Sequence, residues 1–398
     1  MLAATVPDAG AFERLVAGHA PEIDWAWLIE RASVHKVAAL LAARLARLGV
    51  ERDFPDPVRR QLDTIRRRAA ERAGHAARTL REVASALEAR DIPVFVIKGS
   101  VLAEHVYGDP DVRPFDDVDL VIPKRLMGPA EDALLSLGYA FYPVRVKSFQ
   151  FVPPGARPRG HPDSWVAEPL ARDLYRAHHF HFAFAPPRGD PRLPVELHWH
   201  VALPRLLRFE DRLLWARTTT TVVAGRPVRT LDPAATIVYV ALHAVASGPA
   251  SFRLLHLADL VWLLTGSPSR YRWDDIRDVA ESWGAQHYLT AALLAADRLM
   301  AAAGDGLLPA APPPRARFAS VTTPWSRACF RLAATETWLV ERPQARGTVR
   351  GLVGELWQEA LWDLGLGRRP QRALWRLAGI GRRLCGFART APANPRAA

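Results

Sequence analysis

Two short segments of the chain carry the residue types from which a phosphate- and metal-binding site can be built. Lys98, Gly99 and Ser100 follow an apolar run, and Asp117 and Asp119 lie two positions apart. Strand side chains alternate between faces, so the two aspartates share a face while the residue between them points into the core. Carboxylates placed side by side repel each other unless a cation lies between them. Hard divalent ions such as Mg²⁺ take such oxygen ligands and leave positions for phosphate oxygens.

The residues around these segments have their own expected roles. Gly99 lets the backbone approach a phosphate closely, and the backbone N–H groups around Ser100 can donate to it. Lys98 either neutralises phosphate or points to solvent, and its rarity favours the first role because only four of the 53 basic residues are lysines. Asp116 lies on the opposite face in this register and is interpreted as structural. Arg113 either reaches a phosphate or pairs with a neighbouring aspartate.

Glu196 is the best candidate for a third carboxylate, which would complete a two-metal site. His198 and His200 follow it at a period of two and should share its face, where they could orient metal ligands through hydrogen bonds. His179 and His181 lie on one face of the preceding strand-like segment. If the two faces coincide, the imidazole and carboxylate ligands suit Zn²⁺, Mn²⁺ or Fe²⁺. A histidine-rich metal site is therefore a second hypothesis.

Short apolar runs bounded by turn residues predict the strands that position these side chains. We predict strands at 94–97, 117–122, 140–144, 179–184 and 194–200, the last two as a hairpin. Residues 146–176 show no clear periodicity and contain several prolines and glycines, which is typical of a long loop or insertion.

Helical periodicity surrounds this region on both sides. It predicts helices over much of 12–48, then at 58–90, 101–107, 129–137, 232–246, 254–264, 273–283 and 285–303, with no strand after residue 203. A proline-rich linker at 309–314 precedes a final Arg-rich helix at 368–387. The sequence thus predicts an α+β fold with a small mixed β-sheet core and flanking helical regions. The predicted domains are 1–91, 92–205 with its insertion near 146–176, 206–308 and 309–398.

Composition limits the classes of protein to which the chain can belong. It has 398 residues, of which 49% are hydrophobic and 24% charged, so wholesale disorder is excluded. The formal net charge of +12 suggests an anionic partner, but GC-rich codon usage is the favoured explanation of the abundant Ala, Arg and Pro, and the charge then says little about partners. The Arg-rich helix at 58–90 could touch RNA or simply be solvated.

The expected compartment follows from three further features. Cys329 and Cys385 are too few for a disulfide framework, which fits a reducing environment. The first eighteen residues lack the basic and apolar regions of a signal peptide. No uncharged apolar run approaches the roughly 20 residues that span a bilayer. We therefore expect a cytoplasmic protein with no transmembrane segment.

Taken together, the motifs resemble the uncharacterised nucleotidyltransferase family of the DNA polymerase β superfamily. The resemblance covers 94–139, 178–200 and 232–300. It is carried by IKGSVL at 97–102, Tyr107, RPFDDVDLV at 113–121, LGY at 137–139, VELHW at 195–199, ALH at 241–243 and LADL at 257–260.

The resemblance implies a nucleotidyltransferase core in which Gly99 and Ser100 hold the nucleotide phosphates. Asp117, Asp119 and Glu196 would bind two Mg²⁺ ions, with Mn²⁺ as an alternative, and Lys98 and Arg113 join the nucleotide-binding set. The implied reaction transfers an NMP from an NTP, with ATP as the default expectation, to a hydroxyl-bearing acceptor. Two departures matter: the gap from the glycine to the first aspartate exceeds the superfamily's usual one, although it suits this family, and the third acid is Glu where Asp is commoner.

The acceptor and two alternative functions stay open at this stage. A small molecule, a peptide or protein, and RNA all fit as acceptors. A histidine- and carboxylate-dependent hydrolase is one alternative, and a non-catalytic nucleotide-binding or toxin–antitoxin-like module is the other. His243 and Asp259 match the family's helical region, where a helix-packing role is expected.

Overall fold

The computed structural model describes residues 10, 12–14, 16, 23–141, 145–146, 149–150, 179–202, 207, 209–246, 253–266 and 271–302. Both cysteines, the proline-rich linker, the Arg-rich helix at 368–387 and nearly all of the insertion at 146–176 lie outside these residues. Within them the chain is a mixed α+β fold, as predicted, with a seven-stranded sheet at its centre.

The helices follow the predicted order, and most ends lie within two or three residues of the predicted ones. They are α1 Trp25–Val34, α2 Ala38–Leu48, α3 Asp56–Glu88, α4 Gly99–His105, α5 Met127–Ser136, α6 Asp211–Trp215, α7 Pro233–Ala246, α8 Leu254–Gly266, α9 Trp273–Ser282 and α10 Gln286–Ala302. Among these described helices, none is both long and apolar enough to cross a membrane.

The strands that carry the predicted site lie side by side at the centre of the sheet. The nine described strands are β1 Phe95–Ile97, β2 Val118–Val121, β3 Ala140–Phe141, β4 Arg145–Val146, β5 Phe149–Gln150, β6 His181–Ala185, β7 Val195–His198, β8 Thr218–Val223 and β9 Arg226–Leu231. The order in the main sheet is β3-β6-β7-β2-β1-β9-β8, and β4 and β5 form a separate pair. The predicted hairpin is confirmed, because β6 and β7 pair antiparallel.

Helices cover both faces of the sheet, and the alternation of side chains divides the core between them. Phe95 and Ile97 belong to a buried cluster with residues of α1, α2 and α7 to α10. Val96 and Leu120 point the other way, into a cluster with residues of α3, α4 and α5. The short apolar run at β1 is buried on both faces, as its lack of alternation predicted.

The prediction that no strand follows residue 203 is wrong for residues 218–231. These residues form β8 and β9, an antiparallel hairpin whose second strand pairs parallel with β1. The sequence signal was present, since Thr218–Val223 consists entirely of β-branched residues and is followed by Ala224 and Gly225. The predicted helical domain 206–308 therefore contributes two strands to the central sheet.

The hairpin turn itself generates a stability prediction. Ala224 and Gly225 have φ values of 52° and 74°, the left-handed conformations that a two-residue turn of this type requires. Alanine adopts that conformation at a cost, whereas asparagine tolerates it. We expect Ala224→Asn to raise the free energy of unfolding by about 0.5–1 kcal/mol, measured by chemical denaturation.

The same replacement in a helix provides the control. Ala70 lies exposed in the middle of α3. Ala70→Asn should lower the free energy of unfolding by about 0.5 kcal/mol, because Asn is a poorer helix former than Ala. A loss of stability in both variants would contradict the assignment of strain to the turn.

Candidate active site

A cavity of about 400 Å³ lies between the sheet and helices α7 and α8. The sheet side supplies most of the residues that the sequence singled out, and the helices supply a wall of aromatic and imidazole groups. The lining residues include Lys36, Lys98, Gly99, Arg113, Asp116, Asp117, Asp119, His181, Glu196, His198, Tyr239, His243 and His256.

Strand register brings the three carboxylates together. β2 and β7 pair parallel, which places Asp119 beside Glu196. Asp117 immediately precedes β2 and lies on the same face as Asp119, as the alternation predicted. One oxygen atom from each of the three side chains lies within 4.8 Å of the others.

The two oxygens of Asp119 have different surroundings. Oδ1 accepts from Lys98 Nζ at 3.0 Å and lies 3.0 Å from His198 Nε2. Oδ2 is buried and has no hydrogen-bond partner among the described residues. A buried carboxylate oxygen without a partner is unfavourable, so Oδ2 is the oxygen that this site leaves for a ligand.

The charge balance of the cluster also fits a divalent cation. Burial, together with the carboxylate of Asp119, raises the pKa of Asp117 to about 7. Burial acts to raise the pKa of Glu196 as well, but His181 and His198 outweigh it and hold that pKa well below its usual range. Three converging carboxylates with an unpartnered buried oxygen are the donor set that Mg²⁺ or Mn²⁺ prefers.

The histidines on β6 and β7 meet the same cluster. His181 and His198 are cross-strand partners whose rings stack at 4.9 Å, so the two predicted faces coincide at His181, Glu196 and His198. His198 Nε2 lies 3.2 Å from Glu196 Oε2, and His181 Nε2 lies 3.7 Å from Glu196 Oε1. Burial lowers the pKa of His181 to about 4. Burial also acts to lower the pKa of His198, but Asp119 and Glu196 outweigh it and the pKa is raised. At neutral pH, His181 is therefore neutral.

The expectation that His200 shares the Glu196 face is wrong. β7 ends at His198, so the alternation does not extend to residue 200. His200 Nδ1 instead lies 3.1 Å from the backbone carbonyl oxygen of Ala202, and its ring packs against Phe209. An alternating pattern predicts a shared face only as far as the strand continues.

Lys98 points into the protein and not to solvent, so one of its two sequence-based alternatives is wrong, and phosphate neutralisation stays a prediction. Its φ and ψ are 44° and −136°, a conformation that residues other than glycine rarely adopt. This turn directs Nζ towards Asp119 and to within 3.5 Å of His243 Nε2. Burial acts to lower the pKa of Lys98, but Asp119 outweighs it, and the pKa lies well above its ordinary value. Lys98 is therefore a charged ammonium inside the site.

Arg113 pairs with a residue that sequence reasoning assigned to helix packing. Its Nε and Nη2 each donate to one oxygen of Asp259 at 2.7 Å, and Tyr107 donates to the same carboxylate at 2.9 Å. All three side chains are buried. The group joins the loop before Asp117 to α8, and a nucleotide-binding role for Arg113 stays a prediction.

Asp116 lies at the mouth of the cavity and engages two cations. Lys36 Nζ lies 2.7 Å from Asp116 Oδ2, and Arg72 Nη2 lies 2.9 Å from Asp116 Oδ1. The interpretation of Asp116 as structural did not foresee these partners. Lys36 lies in the turn between α1 and α2 and Arg72 lies in α3, and no local pattern in the sequence links them to the site.

Comparison with known proteins identifies one family. A model of the family described as uncharacterised nucleotidyltransferase matches residues 21–301. Among solved structures, the solution structure of the antibiotic-resistance factor ANT(2'')-Ia is similar to this chain at 14% identity, with a TM-score of 0.32, over 52% of this chain and 89% of that one. At that TM-score the likeness supports no statement about fold or activity. None of the curated proteins matches the chain.

The carboxylate cluster predicts a change in stability that depends on metal. In EDTA, Asp117→Asn should raise the free energy of unfolding by at least about 1 kcal/mol, because it removes one of three converging negative charges. Mg²⁺ or Mn²⁺ should raise the melting temperature of the unmodified chain and have little effect on this variant. Thermal unfolding with EDTA and with each ion provides the measurement.

The adjacent aspartate is a matched control. Asp116→Asn removes a carboxylate that contacts Lys36 and Arg72. Its stability in EDTA should be unchanged or about 1 kcal/mol lower, since partly exposed ion pairs contribute little. Equal effects of the two substitutions would show that the carboxylates of the cluster do not repel each other.

Proposed function

The chain belongs to the uncharacterised nucleotidyltransferase family, and we propose that it transfers a nucleoside monophosphate from a nucleoside triphosphate to a hydroxyl group of an acceptor. The observation that carries this proposal is Asp119 Oδ2, which is buried without a described partner where three carboxylates converge. The acceptor oxygen would form a bond to the α-phosphorus, and the bond from that phosphorus to the bridging oxygen would break. Pyrophosphate leaves, and the hydroxyl proton passes to a base or to water.

Asp117, Asp119 and Glu196 are the residues that would hold divalent ions. Bound Mg²⁺ or Mn²⁺ supplies charge neutralisation on the phosphates and favours ionisation of the acceptor hydroxyl. The chain's own contribution is positioning. Lys98 and His198 engage Asp119 Oδ1, which fixes the direction of Oδ2. Catalysis of phosphoryl transfer depends mostly on such positioning and on charge stabilisation.

The remaining members of the proposed site serve the nucleotide. Gly99 and Ser100 begin α4, directly after the turn at Lys98, and Gly99 lines the cavity. Their backbone would approach the phosphates. ATP is the default nucleotide. The acceptor carries a hydroxyl group and belongs to one of three classes: small molecules, peptides or proteins, and RNA.

A label-transfer assay tests this proposal. The purified chain is incubated with Mg²⁺ or Mn²⁺, each α-labelled NTP in turn, and fractionated small molecules, protein and RNA. We expect label in one fraction only, and Asp117→Asn and Asp119→Asn should each reduce transfer at least about 100-fold because a metal ligand is lost. Asp116→Asn, which alters the neighbouring carboxylate, should retain transfer.

One outcome would contradict nucleotidyl transfer, and another would contradict only the assignment of the metal ligands. NTP binding without transfer in any fraction would favour the non-catalytic nucleotide-binding module. Transfer that persists in the Asp117→Asn and Asp119→Asn variants would mean that these carboxylates do not hold the reacting metal.

A metal-dependent hydrolase is the second candidate, because one observation favours it. Ligand atoms of His181, Glu196 and His198 lie within 4.8 Å of one another. Against it, the Nδ1 atoms of both histidines are buried without a partner among the described residues. Histidines that bind metal almost always donate the other ring N–H to a carboxylate, carbonyl or water. The histidines therefore fit better as donors to the carboxylates than as ligands.

Metal analysis separates the two candidates. Protein purified without a histidine tag should contain less than about 0.1 equivalents of zinc, because the imidazoles lack the supporting hydrogen bonds of a tight site. Elemental analysis by mass spectrometry gives the content. If the protein contained stoichiometric zinc and the His181→Asn variant lost it, the metal-dependent hydrolase would be favoured over nucleotidyl transfer.

A further inference from the structure

Lys36 occupies a fixed turn at the mouth of the cavity. It lies between α1 and α2, where its φ is 59°. The turn is attached to the start of α8, since Leu255 N donates to His35 O at 3.2 Å and Leu254 N donates to His35 Nδ1 at 3.4 Å. The position of Lys36 relative to the cavity is therefore set by the fold.

The left-handed backbone makes lysine an unfavourable choice at this position. Among the described residues, the non-glycine residues with positive φ are Lys36, Asp91, Lys98 and Ala224. Lys36 and Lys98 line the cavity, whereas Asp91 and Ala224 do not. Glycine would adopt the turn without strain, so the side chain of Lys36 should supply a benefit that offsets its backbone.

An ion pair with Asp116 does not supply that benefit. The Lys36 side chain is 45% exposed and that of Asp116 is 57% exposed. Exposed ion pairs contribute no more to stability than a left-handed non-glycine residue costs. Arg72 already lies 2.9 Å from the same carboxylate. Two cations on one carboxylate leave an excess positive charge at the mouth.

We propose that Lys36 binds the β- and γ-phosphates of the nucleoside triphosphate at the mouth of the cavity. This inference rests on the proposed function, which places the α-phosphate at the carboxylate cluster. Asp116, to which Lys36 is bonded, directly precedes Asp117 in the chain, so a triphosphate that extends outwards from the cluster meets the Lys36 ammonium. Lys98, at the inner end, is engaged with Asp119 and His243. The N-terminal helices thus complete the nucleotide site.

Binding measurements on Lys36→Gly test the proposal. Calorimetry with Mg²⁺ and a non-hydrolysable ATP analogue should show a dissociation constant raised on the order of tenfold, the effect expected for one charged hydrogen bond. The affinity for AMP should not change. Inorganic tripolyphosphate should displace the analogue from the unmodified chain and do so less well from the variant. Thermal stability should be equal or higher, because glycine relieves the turn.

Three further variants keep the result interpretable. Asp91→Gly removes a positive-φ side chain from an exposed turn that does not line the cavity, so it should raise stability and leave the affinity for the analogue unchanged. Lys36→Arg should restore most of the affinity, since it restores the cation. Lys36→Asn tolerates the same backbone without charge and should bind as Lys36→Gly does.

Several outcomes would overturn the inference. Unchanged affinity in Lys36→Gly would do so directly, even where label transfer supports the proposed function. Equal losses for the analogue and for AMP would assign Lys36 a structural role. If Lys36→Gly changed only the KM of an anionic acceptor, Lys36 would be assigned to binding that acceptor instead of the nucleotide. Conversely, Lys36-dependent binding of the analogue without any label transfer would contradict the proposed function and leave this inference standing.

Discussion

The site depends on the different surroundings of the two oxygens of Asp119. Oδ1 is engaged by Lys98 and His198, at 3.0 Å each, and Oδ2 has no described partner. This difference requires three adjacent strands. Lys98 follows β1, Asp119 lies on β2 and His198 ends β7, and the sheet order β7-β2-β1 brings them together. A one-residue slip of β2 would turn Asp119 into the opposite core and move its neighbours into the cavity.

The convergence of one buried and two half-buried carboxylates is tolerated because the surrounding elements supply positive or polar groups from several sides. Lys98 and His198 contact the cluster from the sheet, and Lys36 and Arg72 contact Asp116 beside it. Unfavourable backbone conformations recur at the same place, at the two lysines that line the cavity. Strained backbone at functional sites persists where the surrounding structure enforces it. The turn at Lys98 is enforced by the sheet, and the turn at Lys36 by α8.

Local patterns predicted the elements well, and contacts between distant segments poorly. β1, β2, the β6–β7 hairpin and the shared face of Asp117 and Asp119 followed from apolar runs and alternation, which depend on neighbouring residues alone. The β8–β9 hairpin had an equally clear signal in its β-branched residues, although the sequence prediction contains no strand there. The prediction that His200 shares the Glu196 face was wrong because alternation does not reveal where a strand ends. The partners of Arg113 and Asp116 could not be predicted, since each lies many residues away and is fixed only by tertiary packing.

The buried pair of Arg113 and Asp259 explains why the sheet and the C-terminal helices act as one unit. Buried ion pairs often contribute no more stability than apolar side chains of the same volume, so stability alone does not account for this pair. Its geometry does, because two hydrogen bonds of 2.7 Å and a third from Tyr107 fix the loop before Asp117 against α8. α8 also lines the opposite wall of the cavity. β9 makes a second connection, since it pairs with β1 and leads directly into α7. The Arg113–Asp259 pair and the pairing of β9 with β1 therefore both fix the distance between the carboxylates and the helical wall. Helices α7 and α8 are part of the site and not a separate domain.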